Sequence, residues 1–154
     1  MPESKINSIK GFALPELLLS VLLLGMIFTG TMLTILKCME LSEIAANSST
    51  AVLAAKNKMA EIENTSFSQI VDSLGDYHNV SFDINGLSGK GVTYVDVAGD
   101  MLTVNVVICW KQPNGRLFGE DVNLSGQFDA GEDSMDNNNR LDSMVELTTL
   151  KYAL

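Results

Sequence analysis

Residues 10–26 read KGFALPELLLSVLLLGM, and the apolar run that begins there continues to Leu36. Glu16 is the only charge between Lys10 and Lys37. A helix rises 1.5 Å per residue, so this stretch is long enough to cross a hydrocarbon core about 30 Å thick. An ionised carboxylate at membrane depth costs roughly 2.5–3.5 kcal/mol even on insertion scales. A glutamate at the start of such a run therefore needs a compensating role. A secretory signal would have a shorter apolar stretch of about 7–15 residues, then a small-residue cleavage site. Here the chain runs on as KCMELSEIAANSST, with no A-x-A-like site. A plain membrane anchor would explain neither Glu16 nor the sharp onset at Gly11–Phe12.

Charge is divided along the chain in the same direction. Before Phe12, Lys5 and Lys10 outweigh Glu3 by one, so about −10 of charge lies beyond it in a chain of net charge −9. A basic start and an acidic remainder fit a cytoplasmic N-terminus and an exported body. An acidic surface repels phosphate, which argues against nucleic acid as a partner. The chain has two cysteines, Cys38 just past the apolar run and Cys109 in an expected strand. Small buried thiols are the simpler reading. An exported body would also permit a disulfide between them.

The stretch KGFALPELLLSVLLLGM resembles the N-terminal motif of the type IV pilins and type II secretion pseudopilins: a basic leader ending in glycine, then phenylalanine, then glutamate at the fifth mature position. Lys10, Gly11, Phe12 and Glu16 occupy those places. Pro15 stands where an aliphatic residue is usual, and proline is tolerated in a first helical turn. The resemblance implies a leader at 1–11, removed by a membrane prepilin peptidase between Gly11 and Phe12, with N-methylation of the new amine. It implies an assembly helix at 12–37 and a periplasmic head at 38–154 that includes the rest of the helix. It also implies that other pilins or pseudopilins are partners in a filament, and that Glu16 meets the N-terminal ammonium of a neighbouring subunit. Pairing offsets part of the cost of two charges in an apolar setting. AKNKMAEIENTSFSQI further resembles the helix end of minor pseudopilins, pointing to a minor subunit at the bacterial inner membrane.

Beyond the apolar run, Leu41, Ala45, Ser48, Val52, Ala55, Met59 and Ile62 recur at steps of three and four. That spacing predicts one long helix, from about Ala13 to Glu63, with an apolar stripe on its second half. Asn64-Thr65-Ser66 is a stop, and a short helical turn fits SFSQIVDSLG. Strands are predicted at 78–84, 91–99, 102–111, 115–120 and 145–153 from β-branched and aromatic residues. Leu102, Val104, Val106, Ile108 and Trp110 alternate with less apolar neighbours, and QPNG at 112–115 is a turn signal. The expected fold is α+β: a long N-terminal helix packed on a small antiparallel sheet.

Residues 119–142, GEDVNLSGQFDAGEDSMDNNNRLD, carry a ligand register. Asp121, Asn123 and Ser125 put oxygens at alternate positions, Gly126 is sixth, Gln127 offers a carbonyl at the seventh, Asp129 is ninth and Glu132 twelfth. This is the spacing of an EF-hand calcium loop, in which a hard cation takes six to eight oxygens at ~2.3–2.6 Å. Magnesium suits it less, because it demands a tighter octahedral shell. The pattern then repeats with one extra residue. Asp133, Asp136, Asn138, the Arg140 carbonyl and Asp142 could hold a second Ca2+, although its twelfth position falls on Val145 and Glu146 is one residue late. The expected cation role is structural, ordering the connection before the last strand. The bland alternative is an acidic loop that only solubilises the head.

His78 reads as a strand-edge residue and Trp110 as core. No nucleophile, metalloprotease or phosphate-loop motif is present, so no catalytic residue and no small-molecule substrate are expected. A membrane-anchored calcium-binding adhesin or sensor module that never polymerises is the alternative to the filament reading.

Overall fold

The computed structural model describes residues 14–132 and 138–153. The expected leader at 1–11, the expected Gly11–Phe12 cleavage site and two candidate ligands, Asp133 and Asp136, lie outside those residues. The chain divides into two compact units, one ending at Ser42 and the other beginning at Glu43. A single helix, α1 (Leu14–Asn64, 51 residues), runs through both.

In the first unit α1 is exposed on all sides, with Leu17, Leu18, Val21, Leu24, Ile27 and Phe28 all presenting apolar surface. It is long and apolar enough to cross a membrane. Pro15 lies in its first turn, where the missing N–H has no intrahelical acceptor to lose. The few hydroxyls here are satisfied by the helix itself: Ser20 Oγ donates to the Glu16 carbonyl (2.8 Å), Thr29 to Gly25 (2.8 Å), Thr31 to Phe28 (2.8 Å) and Thr34 to Gly30 (2.9 Å). These four hydroxyls thus each have an acceptor within the helix, as a segment crossing hydrocarbon would require.

In the second unit α1 lies on an antiparallel sheet of five strands: β1 (Val80–Asp83), β2 (Gly89–Ala98), β3 (Met101–Lys111), β4 (Leu117–Phe118) and β5 (Val145–Tyr152). The order β1-β2-β3-β4 is completed by β5, which also pairs with β3. β2 and β3 are joined by a tight turn in which Gly99 takes φ +61°, and they pair from Ala98↔Met101 to Gly89↔Trp110. The QPNG turn forms as its residues predict, with Gln112 N–H donating to Arg116 O (2.8 Å) and Gly115 at φ +86°.

The helix-side core follows from alternation in β3. Leu102, Val104, Val106, Ile108 and Trp110 all point to one face and meet Ala51, Ala55, Met59 and Ile62 of α1. Ala51, Ala55 and Ile62 are fully buried in this contact. Full burial of one such aliphatic side chain contributes about 1.5–3 kcal/mol. Trp110 stacks on Phe118 with ring centroids 4.9 Å apart. The expected stripe is shifted at its start. Ile44 is half-buried, whereas Leu41 is 64% exposed and Ala45 is exposed. The apolar spacing runs on past the part of the helix that has a sheet beneath it.

α1 ends at Asn64, and α2 (Phe67–Asp72) starts in a capping box: Gln69 N–H donates to Ser66 Oγ while the Gln69 side chain accepts from Ser66 N–H. The predicted strand 115–120 shortens to two residues, because Gly119 turns at φ +106° and Glu120 N–H leaves the sheet for Asp142 O (2.9 Å).

Candidate metal loop and membrane helix

The connection from β4 to β5 covers the other face of the sheet. Val92 and Tyr94 of β2 and Val107 and Cys109 of β3 point that way, and Leu124, Phe128 and Leu141 of the connection pack onto them. The acidic segment is therefore a second layer with its own apolar contacts.

Asp121, first in the ligand register, is fully buried at 0% exposure. Its Oδ1 accepts from Ser125 N–H (2.9 Å) and its Oδ2 from Gly126 N–H (2.7 Å), so one carboxylate gathers the turn. Asn123 Oδ1 also accepts from Ser125 N–H (2.7 Å). Asp129 Oδ2 accepts from Asn123 Nδ2 (2.8 Å) and lies 3.4 Å from Ser125 Oγ. Ser125 Oγ in turn donates to the Gln127 carbonyl (3.2 Å). Glu132, 7% exposed, folds back: Oε1 accepts from Val122 N–H (3.0 Å) and Oε2 from Asp129 N–H (3.1 Å). Glycine is needed at position 126 twice over. Its φ is +71°, and an added Cβ would lie 2.4 Å from Ser81 Cβ. Gly126→Ala should destabilise the head by about 1–3 kcal/mol, read as a lower midpoint in denaturant. An unchanged midpoint would show that the turn is not held in this conformation.

All the donors in the register are oxygens, the chemistry of a hard cation. Each carboxylate oxygen of Asp121 and Glu132 keeps lone-pair capacity after accepting one N–H. No ion pair among the described residues reaches either of these buried acids. Burying a charge without an opposite charge is costly. The described residues nonetheless contain no group of three or more His, Cys, Asp or Glu side chains placed to share one ion. Asp129 is instead held by the amide of Asn123 and the hydroxyl of Ser125, a self-satisfied arrangement that a central cation would have to reorganise.

The second set is only partly brought together. Asn138 Oδ1 accepts from Arg140 N–H (2.7 Å), and Asn138 Nδ2 donates to Asp142 Oδ2 (3.3 Å). Asn139, at φ +60°, takes the left-handed turn that Gly126 takes in the first set. The Arg140 side chain is committed elsewhere. It makes a two-pronged pair with Asp96 (2.7 and 2.8 Å) and lies over the Tyr94 ring, which holds the Asp96 carboxyl below the ordinary carboxylate range. Val145 is core and Glu146 bonds Asn105, so neither closes this loop.

Two residues without an assigned role in the sequence reading matter here. Glu120, 3% exposed, accepts from Asp142 N–H (3.2 Å) and ties the start of the connection to its end. Asp96 anchors Arg140, and nothing local in the strand signals that partnership. Both cysteines are free thiols. Cys109 faces the connection, its Sγ 3.9 Å from the Asp142 carbonyl, and burial pushes its pKa up to about 11. Cys38 is exposed on α1. His78 is structural, its Nδ1 lying 2.7 Å from the Val95 carbonyl.

Glu16 lies in the first turn of α1, where the positive end of the helix dipole favours a carboxylate. Across the whole chain, no protein-family model matches, and neither a curated protein nor a solved structure is significantly similar.

Proposed function

We propose that this chain is a non-enzymatic structural subunit, a minor pilin or pseudopilin, of a type IV pilus or type II secretion pseudopilus. The observation that carries the reading is one helix with two kinds of surface. Its first half is exposed, apolar and self-satisfied, with a single acid in the first turn. Its second half is packed on a sheet. In this reading the helix sits in the inner membrane before assembly, N-terminus in the cytoplasm and head in the periplasm. It then packs among neighbouring helices, where Glu16 meets an incoming ammonium.

The head loop is proposed to take one structural Ca2+ through Asp121, Asn123, Ser125, the Gln127 carbonyl, Asp129 and Glu132. Asp121 and Glu132 support this, being buried without an ion pair among the described residues. Asn138, Arg140 and Asp142 would contribute to a second ion.

Processing tests the filament reading directly. Co-expression with a prepilin peptidase should give a mature chain whose first residue is Phe12, detected by N-terminal sequencing and intact mass. An uncleaved chain that stays monomeric in the membrane would favour the anchored calcium-binding module instead.

A further inference from the structure

β5 borders the sheet, and its outer edge has no strand beside it among the described residues. Its register with β3 runs without interruption from Ile108↔Val145 to Met101↔Tyr152. Inner bonds alternate along an antiparallel ladder, and Ala153 N–H donates to Asp100 O (2.9 Å), which sets the phase. Lys151, Thr149, Leu147 and Val145 therefore turn their backbone groups to β3. Tyr152, Leu150, Thr148 and Glu146 turn theirs outward, where no group of the described residues meets them. All four are exposed. Proteins commonly blunt such an edge with proline, a bulge or a lysine. β5 has neither proline nor bulge. Its one lysine, Lys151, is turned to the helix end, where Nζ donates to the Glu63 and Thr65 carbonyls.

We infer that the outer edge of β5 takes an extended, cationic segment of a partner protein as a further strand. A row of backbone groups at strand spacing is matched by another extended chain, which gives the occupant its geometry. Charge gives its composition. The charged residues of β5 or bonded to it are Glu146, Lys151, Asp100 and Glu63, whose Oε1 accepts from Thr149 Oγ1 (3.1 Å). Three of these are acidic, and the one ammonium is spent on helix carbonyls. A second copy of this chain, with net charge −9, would bring like charge to the edge, whereas a segment carrying Lys or Arg brings the opposite. Beside the edge lies a cleft of about 410 Å3, lined by Ser66, Phe67, Ser68, Lys151, Tyr152 and Ala153. Leu150 and Tyr152, 52% and 58% exposed, add apolar surface along the strand. The fitting segment alternates apolar and basic residues, and its binding does not depend on the filament reading.

The test uses the full chain in neutral detergent micelles and a fluorescent peptide of alternating valine and lysine, as long as β5 and blocked at both ends. Anisotropy should show saturable binding. The same peptide with glutamate for lysine, and one N-methylated at every residue, should each bind at least ~10-fold more weakly, the first by reversing charge and the second by removing main-chain donors. Thr148→Pro removes one outward N–H and no bond to β3, so it should weaken the lysine peptide by a like factor with the far-UV circular dichroism unchanged. Thr148→Lys leaves the backbone intact, adds a positive charge at the edge and should weaken it too. No saturable binding of the lysine peptide, equal binding of all three peptides, or undiminished binding by Thr148→Lys would overturn the site. Dimers that form with Thr148 and vanish in Thr148→Pro would give the edge to a second copy and overturn the cationic partner.

Discussion

Replacing Glu16 with alanine is expected to leave cleavage after Gly11 intact and to abolish entry of the subunit into filaments. In the proposed reading, cleavage would depend on the short segment around Gly11–Phe12, whereas assembly would pass the helix from lipid into contact with other helices. A lone carboxylate at membrane depth costs roughly 2.5–3.5 kcal/mol on insertion scales. In the proposed filament, an ammonium arriving from a neighbour would offset part of that cost. Removing the acid should even make the monomer sit more comfortably in the membrane, so the defect should appear only in the polymer. Glu16→Gln separates charge from size, because glutamine keeps the shape and loses the ion pair. Sheared filament fractions, probed for the subunit against a membrane control, give the readout. Normal incorporation of both variants would remove the charge-pairing argument.

The second large effect is expected in the head. Chelation should lower its melting temperature, and Asp121→Ala with Glu132→Ala should abolish that response. An ion present at about 100 times its dissociation constant adds about 2.7 kcal/mol to the folded state. For a domain of this size that corresponds to roughly 10 °C. The double substitution has an effect of its own, since Asp121 and Glu132 together accept four backbone N–H groups that the loop would then have to satisfy otherwise. The decisive comparison is the difference between calcium and chelator for each protein, measured by differential scanning calorimetry. Identical melting curves with and without calcium would leave the loop as a self-satisfied turn that needs no ion.

Much of the architecture was legible because it rests on local patterns. The unbroken apolar run and the three- and four-residue steps mark α1 and place its C-terminal end to within a residue. The apolar residues at alternate positions from Leu102 to Trp110 mark β3 and its helix-side face. The QPNG turn sets the hairpin. What stayed hidden depends on contacts distant in sequence. Leu41 has the right spacing for the stripe but no sheet under it. The strand expected at 115–120 is cut short by Gly119, whose turn serves the connection and not the sheet. Asp96 sits in a strand whose local pattern gives no sign of a charged partner, and only the fold brings Arg140 to it. The turn from Asp121 to Glu132 was readable because its hydrogen bonds run between residues close in sequence, whereas its side chains do not gather around one shared point. The second set was less so, since its closing acid was sought downstream, at Glu146, which is turned to Asn105 in the sheet. The buried carboxylate that meets Asp142 is Glu120, from upstream.

The hydroxyls of Ser20, Thr29, Thr31 and Thr34 return to carbonyls of their own helix. The segment thus carries its polar satisfaction with it. Moving from one oily environment to another would require none of these four hydrogen bonds to be traded, and among the described residues of the apolar stretch Glu16 would be the group whose comfort depends on who stands alongside.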